Sequence, residues 1–286
     1  MATVIATINL KGGVGKTTTT VAVAQMLAGE FGKRVLVVDL DPQTNATVML
    51  IEEERWRELD DQRLTVADLF EAALKSDDTS PFDLSRCILR NVGGVRDVRG
   101  LSLLPSSLRL IDLQDKLATM DRGLFYAATP VDILRRAMRP ILDEFDFVLI
   151  DCPPSMGLIT LNGLRISNYY IIPTIADVLS TYGIPQIVRR VRLFSDRIGE
   201  PIEALGILAT KYQDQMPTHR TRLQRLKEQH DAPVFETKIP QSDKVSAAAE
   251  YREVGTFRQK WGYGERHFDA FKALAQEIMD KVQVPA

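Results

Sequence analysis

The 286-residue chain has little of several things, and each scarcity excludes a class of protein. Two cysteines, Cys87 and Cys152, with no metal-ligand spacing, make neither a disulfide framework nor a metal knuckle, so both are expected to be reduced. No stretch approaches eighteen consecutive apolar residues, and the start of the chain lacks the charged-then-apolar layout of a signal peptide. A cytoplasmic protein is therefore expected. There is no internal repeat, no low-complexity tract and no Pro/Ser-rich linker, which argues for one domain over 1–286 with an irregular insertion or lid at 52–125. The net charge is only −2, yet it is unevenly spread: residues 185–230 hold nine Lys/Arg against five Asp/Glu. An acidic body with one basic zone is a weak pointer to a polyanion-binding face, since a pair of solvated helices would look the same.

What is present is alternation. Strand-like runs occur at 4–8, 35–38, 101–104, 147–150, 169–172, 204–209 and 232–237, most of them continuous in aliphatic and β-branched residues. Helical patterns fall between and after them at 17–30, 65–75, 107–119, 130–143, 181–199, 217–230, 244–252 and 266–282, with Thr65 and Asp68 reading as a capping box. Such alternation specifies an α/β fold, a doubly wound and mostly parallel β-sheet flanked by helices. Sheets of this kind bind ligands beyond the carboxyl ends of their strands.

At that end of the first strand lies Lys11-Gly12-Gly13-Val14-Gly15-Lys16-Thr17-Thr18. Glycines let backbone N–H groups turn inward on a triphosphate where a Cβ would obstruct, and the following helix aims its positive end at the same anion. Lys16 is placed to reach the β- and γ-phosphates and Thr17 to ligate Mg²⁺. Two further strands end in carboxylates. Asp39 and Asp41 close the 35–38 run ahead of Pro42, and Asp151 closes the 147–150 run ahead of Pro153 and Pro154. Beside a phosphate loop, one carboxylate of the first pair would support the Mg²⁺ shell and the other would position the attacking water. Asp151 would hold Mg²⁺ through a water.

The general phosphate-loop pattern wants a small residue where Leu10 stands, and this chain has the additional Lys11 at the mouth of the loop. This variant resembles the deviant phosphate loop of the ParA/MinD family of ATPases. Asp39-Leu40-Asp41-Pro42-Gln43-Thr44-Asn45 resembles that family's first switch, and Asp151-Cys152-Pro153-Pro154-Ser155 its second. The resemblance implies ATP and Mg²⁺ as ligands and a homodimer closed around two ATP molecules, with Lys11 of each chain on the phosphates of the other. It implies Asp41 as the residue hydrolysis needs. It also implies adenine contacts near Lys211, after Ile207-Leu208-Ala209-Thr210, and at the Ile239-Pro240 segment. Small ParA-type relatives bind double-stranded DNA non-specifically, and the basic zone then offers Arg189, Arg192 and Arg220, arginines with little aromatic interleaving, suited to phosphate rather than base contact. A ParB-like or cargo-adaptor partner that stimulates slow hydrolysis, a partitioned or positioned cargo, and nucleoid association when ATP-bound are further implications. With no helix-turn-helix ahead of Met1, operator binding is not expected.

Two other classes of protein compete with this reading. A MinD-like membrane switch would need a basic amphipathic C-terminal helix, whereas the apolar stripe Phe268, Phe271, Leu274, Ala275, Ile278, Met279 and Val282 is backed by Asp269, Glu277 and Asp280 as well as Lys272 and Lys281. An anionic leaflet repels such a face, so no membrane partner is expected. A metabolic or iron–sulfur relative would need a cluster cysteine pair or a substrate pocket, and Cys87 and Cys152 do not suit the former.

Overall fold

The computed structural model describes residues 2–75, 82–95, 98–119, 130–229, 232–262 and 266–282. Eight strands form one sheet: β1 (Thr3–Thr7), β2 (Val35–Asp39), β3 (Leu89–Arg90), β4 (Leu101–Leu104), β5 (Phe147–Asp151), β6 (Tyr169–Ile175), β7 (Glu203–Tyr212) and β8 (Val234–Pro240). Their order is β3-β4-β2-β5-β1-β6-β7-β8. Every neighbouring pair is parallel except β3 with β4. The helices are α1 (Lys16–Gly29), α2 (Asn45–Leu50), α3 (Glu53–Asp61), α4 (Val66–Leu74), α5 (Leu110–Ala118), α6 (Ile133–Met138) and α7 (Leu158–Ile166). They continue with α8 (Val178–Thr181), α9 (Ile184–Ile198), α10 (Pro217–Gln229), α11 (Asp243–Ala247), α12 (Phe257–Trp261) and α13 (Arg266–Val282).

The period-two geometry of the strands sorts their side chains into two cores. Val4, Ala6 and Ile8, with Leu36, Val38 and Leu40, pack beneath α4, α5, α6, α7 and α9. Ile5, Val35 and Val37 pack on the other side beneath α1, α2, α12 and α13. A strand with a helix on each face has no polar side to show, which is why these runs read as continuous apolar sequence.

Several expectations change in detail. The helix expected at 181–199 is α9, which starts only at Ile184 because Gly183 and Pro185 fit a helix start, while the short α8 ahead of it, ending at Thr181, was not expected. The one at 130–143 is confined to α6, which ends short of Pro140. The stretch at 52–125 is more regular than its composition suggests: it holds α3, α4 with the expected Thr65–Asp68 capping box, β3, β4 and α5. Residues 76–81, 96–97 and 120–125 of that stretch lie outside the described ones. Helix α7 escaped the sequence reading because Gly163 sits at its centre. A Cβ there would come within 2.8 Å of Leu40 Cδ1 and 3.2 Å of Ile150 Cγ2, so glycine allows the helix to approach the sheet closely.

The apolar stripe of α13 is buried: Phe268, Phe271, Leu274, Ala275 and Ile278 have no accessible surface, and they pack with Trp261 and Phe235. That stripe is core rather than an anchor. No helix among the described residues is long and apolar enough to cross a membrane.

Candidate functional site

Parallel register brings the carboxyl ends of β1, β2 and β5 into line, with Asp151 opposite both Thr7 and Asp39. The loop from β1 to α1 crosses this end. Gly13 and Gly15 have φ values of 73° and 84°, the left-handed conformation that glycine adopts without strain. Two side chains outside the glycine motif hold the loop. Asn9 Nδ2 donates to the Pro173 carbonyl at 2.8 Å, while its Oδ1 accepts from the Lys11 N–H at 2.9 Å. Thr210 Oγ1 on β7 lies 2.8 Å from the Val14 carbonyl and 3.1 Å from that of Thr174. Neither residue was singled out from sequence; Asn9 borders the glycine motif, but Thr210 is 196 positions from its loop partner and carried no local signal.

The two lysines have different settings. Lys16 is buried and its Nζ donates back to the Lys11 carbonyl at 3.3 Å. Burial lowers its pKa, with Asp151 and Asp41 pulling the other way. A buried ammonium beside a half-open cavity has a direct use, since an incoming phosphate replaces the solvation it has lost. Lys11 is exposed, and its Nζ donates to Ser180 Oγ at 3.1 Å. Ser180 belongs to α8, capped by Asp177, whose carboxylate accepts from the Ser180 N–H at 2.6 Å and is held below its usual range by those bonds and by Lys11. Around Lys11's partner, Val178, Leu179 and Tyr182 are 60%, 78% and 77% exposed.

The three aspartates are not equivalent. Asp39 is fully buried; its Oδ2 accepts from the Thr47 N–H at 2.8 Å and the Thr47 hydroxyl at 2.7 Å, and its Oδ1 from the Asp41 N–H at 3.1 Å. Desolvation nevertheless pushes its pKa up to about 7. Asp151 is also fully buried and its pKa is raised well above the ordinary value by burial and by neighbouring Asp39, against the opposing pull of the Thr17 hydroxyl. Its Oδ1 accepts from Thr20 Oγ1 at 3.5 Å, while Oδ2 has no hydrogen-bond partner among the described residues. Asp41 accepts from the Gln43 N–H at 3.0 Å.

An orphaned oxygen on Asp151, with the buried, hydrogen-bonded Asp39 carboxylate opposite it in the sheet register, suits a divalent cation. Among the described residues no three His, Cys, Asp or Glu side chains form a closed metal cage. A hard cation that keeps its waters and shares phosphate oxygens needs none, which is the habit of Mg²⁺. Asp151 and Thr17 would hold it; Asp39, also expected as a metal residue, has all its hydrogen bonds within its own strand end and α2.

Lys211, Pro240 and the loop residues Gly13, Gly15, Lys16, Thr17 and Thr18 line one cavity of about 390 Å³, joined by apolar Val48, Met49 and Phe271. Lys211 has φ 49°, a turn of the chain that ends β7's regular course at this cavity. Gly12, Val14, Lys11 and Asp41 do not line it. Arg189 and Arg192 on α9 and Arg220 on α10 are exposed and in no ion pair among the described residues. They stand away from the cavity, on helices that share one core face.

A family model described as an AAA domain matches residues 2–204. The sporulation initiation inhibitor protein Soj of Bacillus subtilis is 31% identical over 87% of this chain and 88% of its own. The chain belongs to the ParA/Soj family of P-loop ATPases. Among solved structures, a cobyrinic acid a,c-diamide synthase from Mycobacterium smegmatis with bound ATP analog and magnesium is 27% identical. It has a TM-score of 0.74, covering 99% of this chain and 96% of that one. The fold is shared as well with an ATP complex of Cyanothece McdA, at a TM-score of 0.77 and 18% identity, covering 100% and 98% of the two chains. The fold expected from strand–helix alternation is therefore that of the ParA-like ATPases.

Proposed function

We propose that this ParA/Soj-family protein is an ATP-driven dimerisation switch that binds DNA non-specifically in its paired state and positions a cargo. ATP enters the cavity with its base toward Lys211 and Pro240 and its phosphates on Gly12–Thr18, where Lys16 neutralises charge. Mg²⁺, held by Thr17 and Asp151, would draw charge from the β- and γ-phosphates. Asp41 orients the attacking water. A ligated neighbour at 27% identity, bound to an ATP analog and magnesium, supports that choice of ligands.

The observation that carries the pairing is the setting of Lys11. A cation at the loop mouth, tethered by one serine hydroxyl and ringed by exposed Val178, Leu179 and Tyr182, is arranged to act outside its own subunit. Exposed apolar side chains flanking a polar site are the composition of an interface core. Two chains meeting on this face would each place a Lys11 beside the other's phosphates. Pairing doubles the number of exposed arginines presented to DNA, and contacts to phosphate multiply in affinity. A ParB-like or adaptor partner would then speed slow hydrolysis and separate the pair.

Sedimentation of the purified protein with and without ATP and duplex DNA tests this. ATP is expected to convert monomer to dimer, Lys11→Ala to remain monomeric, and DNA binding to require ATP and weaken steeply with added salt. A wild-type protein that stays monomeric with ATP bound, or DNA binding indifferent to salt, would overturn it.

A further inference from the structure

The stretch from α3 to α5 has no part in the cavity, yet one of its residues bonds the Asp41 main chain directly and the Asp39 carboxylate through Thr47. Ser106, in the turn between β4 and α5, is fully buried and 65 positions from Asp41. Its hydroxyl donates to the Asp41 carbonyl at 2.7 Å, and its N–H donates to Thr47 Oγ1 at 2.9 Å. Thr47 Oγ1 in turn donates to Asp39 Oδ2 at 2.7 Å. The turn is itself fixed. Trp56 Nε1, from α3, donates to the Ser106 carbonyl at 3.0 Å. Three residues on, Arg109 binds Asp68 Oδ2 at 2.8 Å and Glu71 Oε1 at 2.6 Å on α4.

We propose that Ser106 is a positioning residue for ATP hydrolysis, the tip of a bracket formed by α3, α4 and the 105–109 turn that holds Asp41 in place. The proposal rests on the reading of Asp41 as the water-orienting carboxylate. Pro42 fixes the φ that follows Asp41, so the direction of the Asp41 carbonyl sets the course of the segment carrying the carboxylate. Within that segment the carboxylate is tied only to Gln43, two residues away. Ser106 supplies the long-range restraint. Misplacing a water-orienting group by a fraction of an ångström slows the chemical step without loosening a nucleotide held elsewhere. Ser106 lines no part of the cavity, so turnover and affinity should separate.

The test is steady-state ATPase kinetics with nucleotide affinity measured in parallel on the full chain. Ser106→Ala is expected to lower kcat about tenfold, the cost of one buried hydrogen bond carried into the transition state, with nucleotide Kd unchanged within about twofold. Ser106→Cys, a weaker donor of similar size, should fall between, and Trp56→Phe should show a smaller loss of kcat in the same direction. An unchanged kcat in Ser106→Ala overturns the proposal, as does an equal loss of affinity and turnover. If Ser106→Ala does not fold, wild-type kcat in both Ser106→Cys and Trp56→Phe overturns it. Wild-type hydrolysis by Asp41→Ala would instead remove the reading beneath it.

Discussion

Replacing Lys260 by methionine should change the dependence of stability on pH in a way that can be calculated in advance. Lys260, on α12, is 8% exposed, and its Nζ donates to the Met49 carbonyl at the end of α2 at 3.1 Å. Desolvation lowers its pKa from 10.5 to about 8. The group is a base held below its unfolded value, so between about pH 8 and pH 10.5 the unfolded chain binds more protons and stability rises with pH. The shift of roughly two and a half units corresponds to about 3 kcal/mol of penalty at neutral pH that disappears on alkalinisation. Methionine of similar length carries no such penalty at any pH but leaves the Met49 carbonyl without its donor, a loss of about 1–3 kcal/mol. The quantity to measure is therefore the difference in unfolding free energy between wild type and Lys260→Met, from urea titrations at pH 7, 8, 9 and 10, in which other titrating groups cancel. That difference should move by about 2.5 kcal/mol in favour of the wild type between pH 7 and pH 10. A difference constant to within about 0.5 kcal/mol, a tolerance below one weak hydrogen bond, would refute the reasoning.

Two further outcomes are expected. Asp41→Ala should keep ATP-dependent pairing while losing hydrolysis, read by sedimentation and phosphate release; loss of ATP binding would contradict the assigned role. In nucleotide-free protein the Asp39 carboxyl, followed by ¹³C NMR, should titrate near 7, so this group's contribution to stability is full below about pH 4 and is lost as pH rises through 7. A midpoint near 4 would show that burial does not govern it.

How much could be read in the chain followed from the range over which each constraint acts. The glycine loop, the carboxylates at the ends of β2 and β5, and the strands themselves are local: a buried parallel strand has to be apolar on both faces, and residues 101–104 appear as β4 with unchanged bounds. Helix α3 was hidden by its charge, since Glu53, Arg57, Arg55 and Glu58 pair along its surface and only Leu59 is buried. The two-residue β3 is too short for any pattern. Thr47, Ser106 and Thr210 are ordinary polar residues whose importance arises from partners brought near by the sheet, and sequence spacing carries no trace of that. The arginines of α9 were legible as a charge cluster; that they have no acidic partner among the described residues, while Arg34, Arg57, Arg90 and Arg165 do, needed the folded surface.

The grip of Thr210 and Asn9 on the loop between β1 and α1 has a kinetic consequence. A cradle already shaped by its neighbours asks for little ordering when the anion arrives, so capture should run near the rate of productive encounters rather than wait on a closing segment. Because the next residue, Lys211, lines the same cavity, in the proposed pose one strand tip would touch both the base and the phosphate loop of the guest. A base that fits poorly would then disturb the phosphate end as well, and selectivity among nucleotides would show in turnover as much as in occupancy.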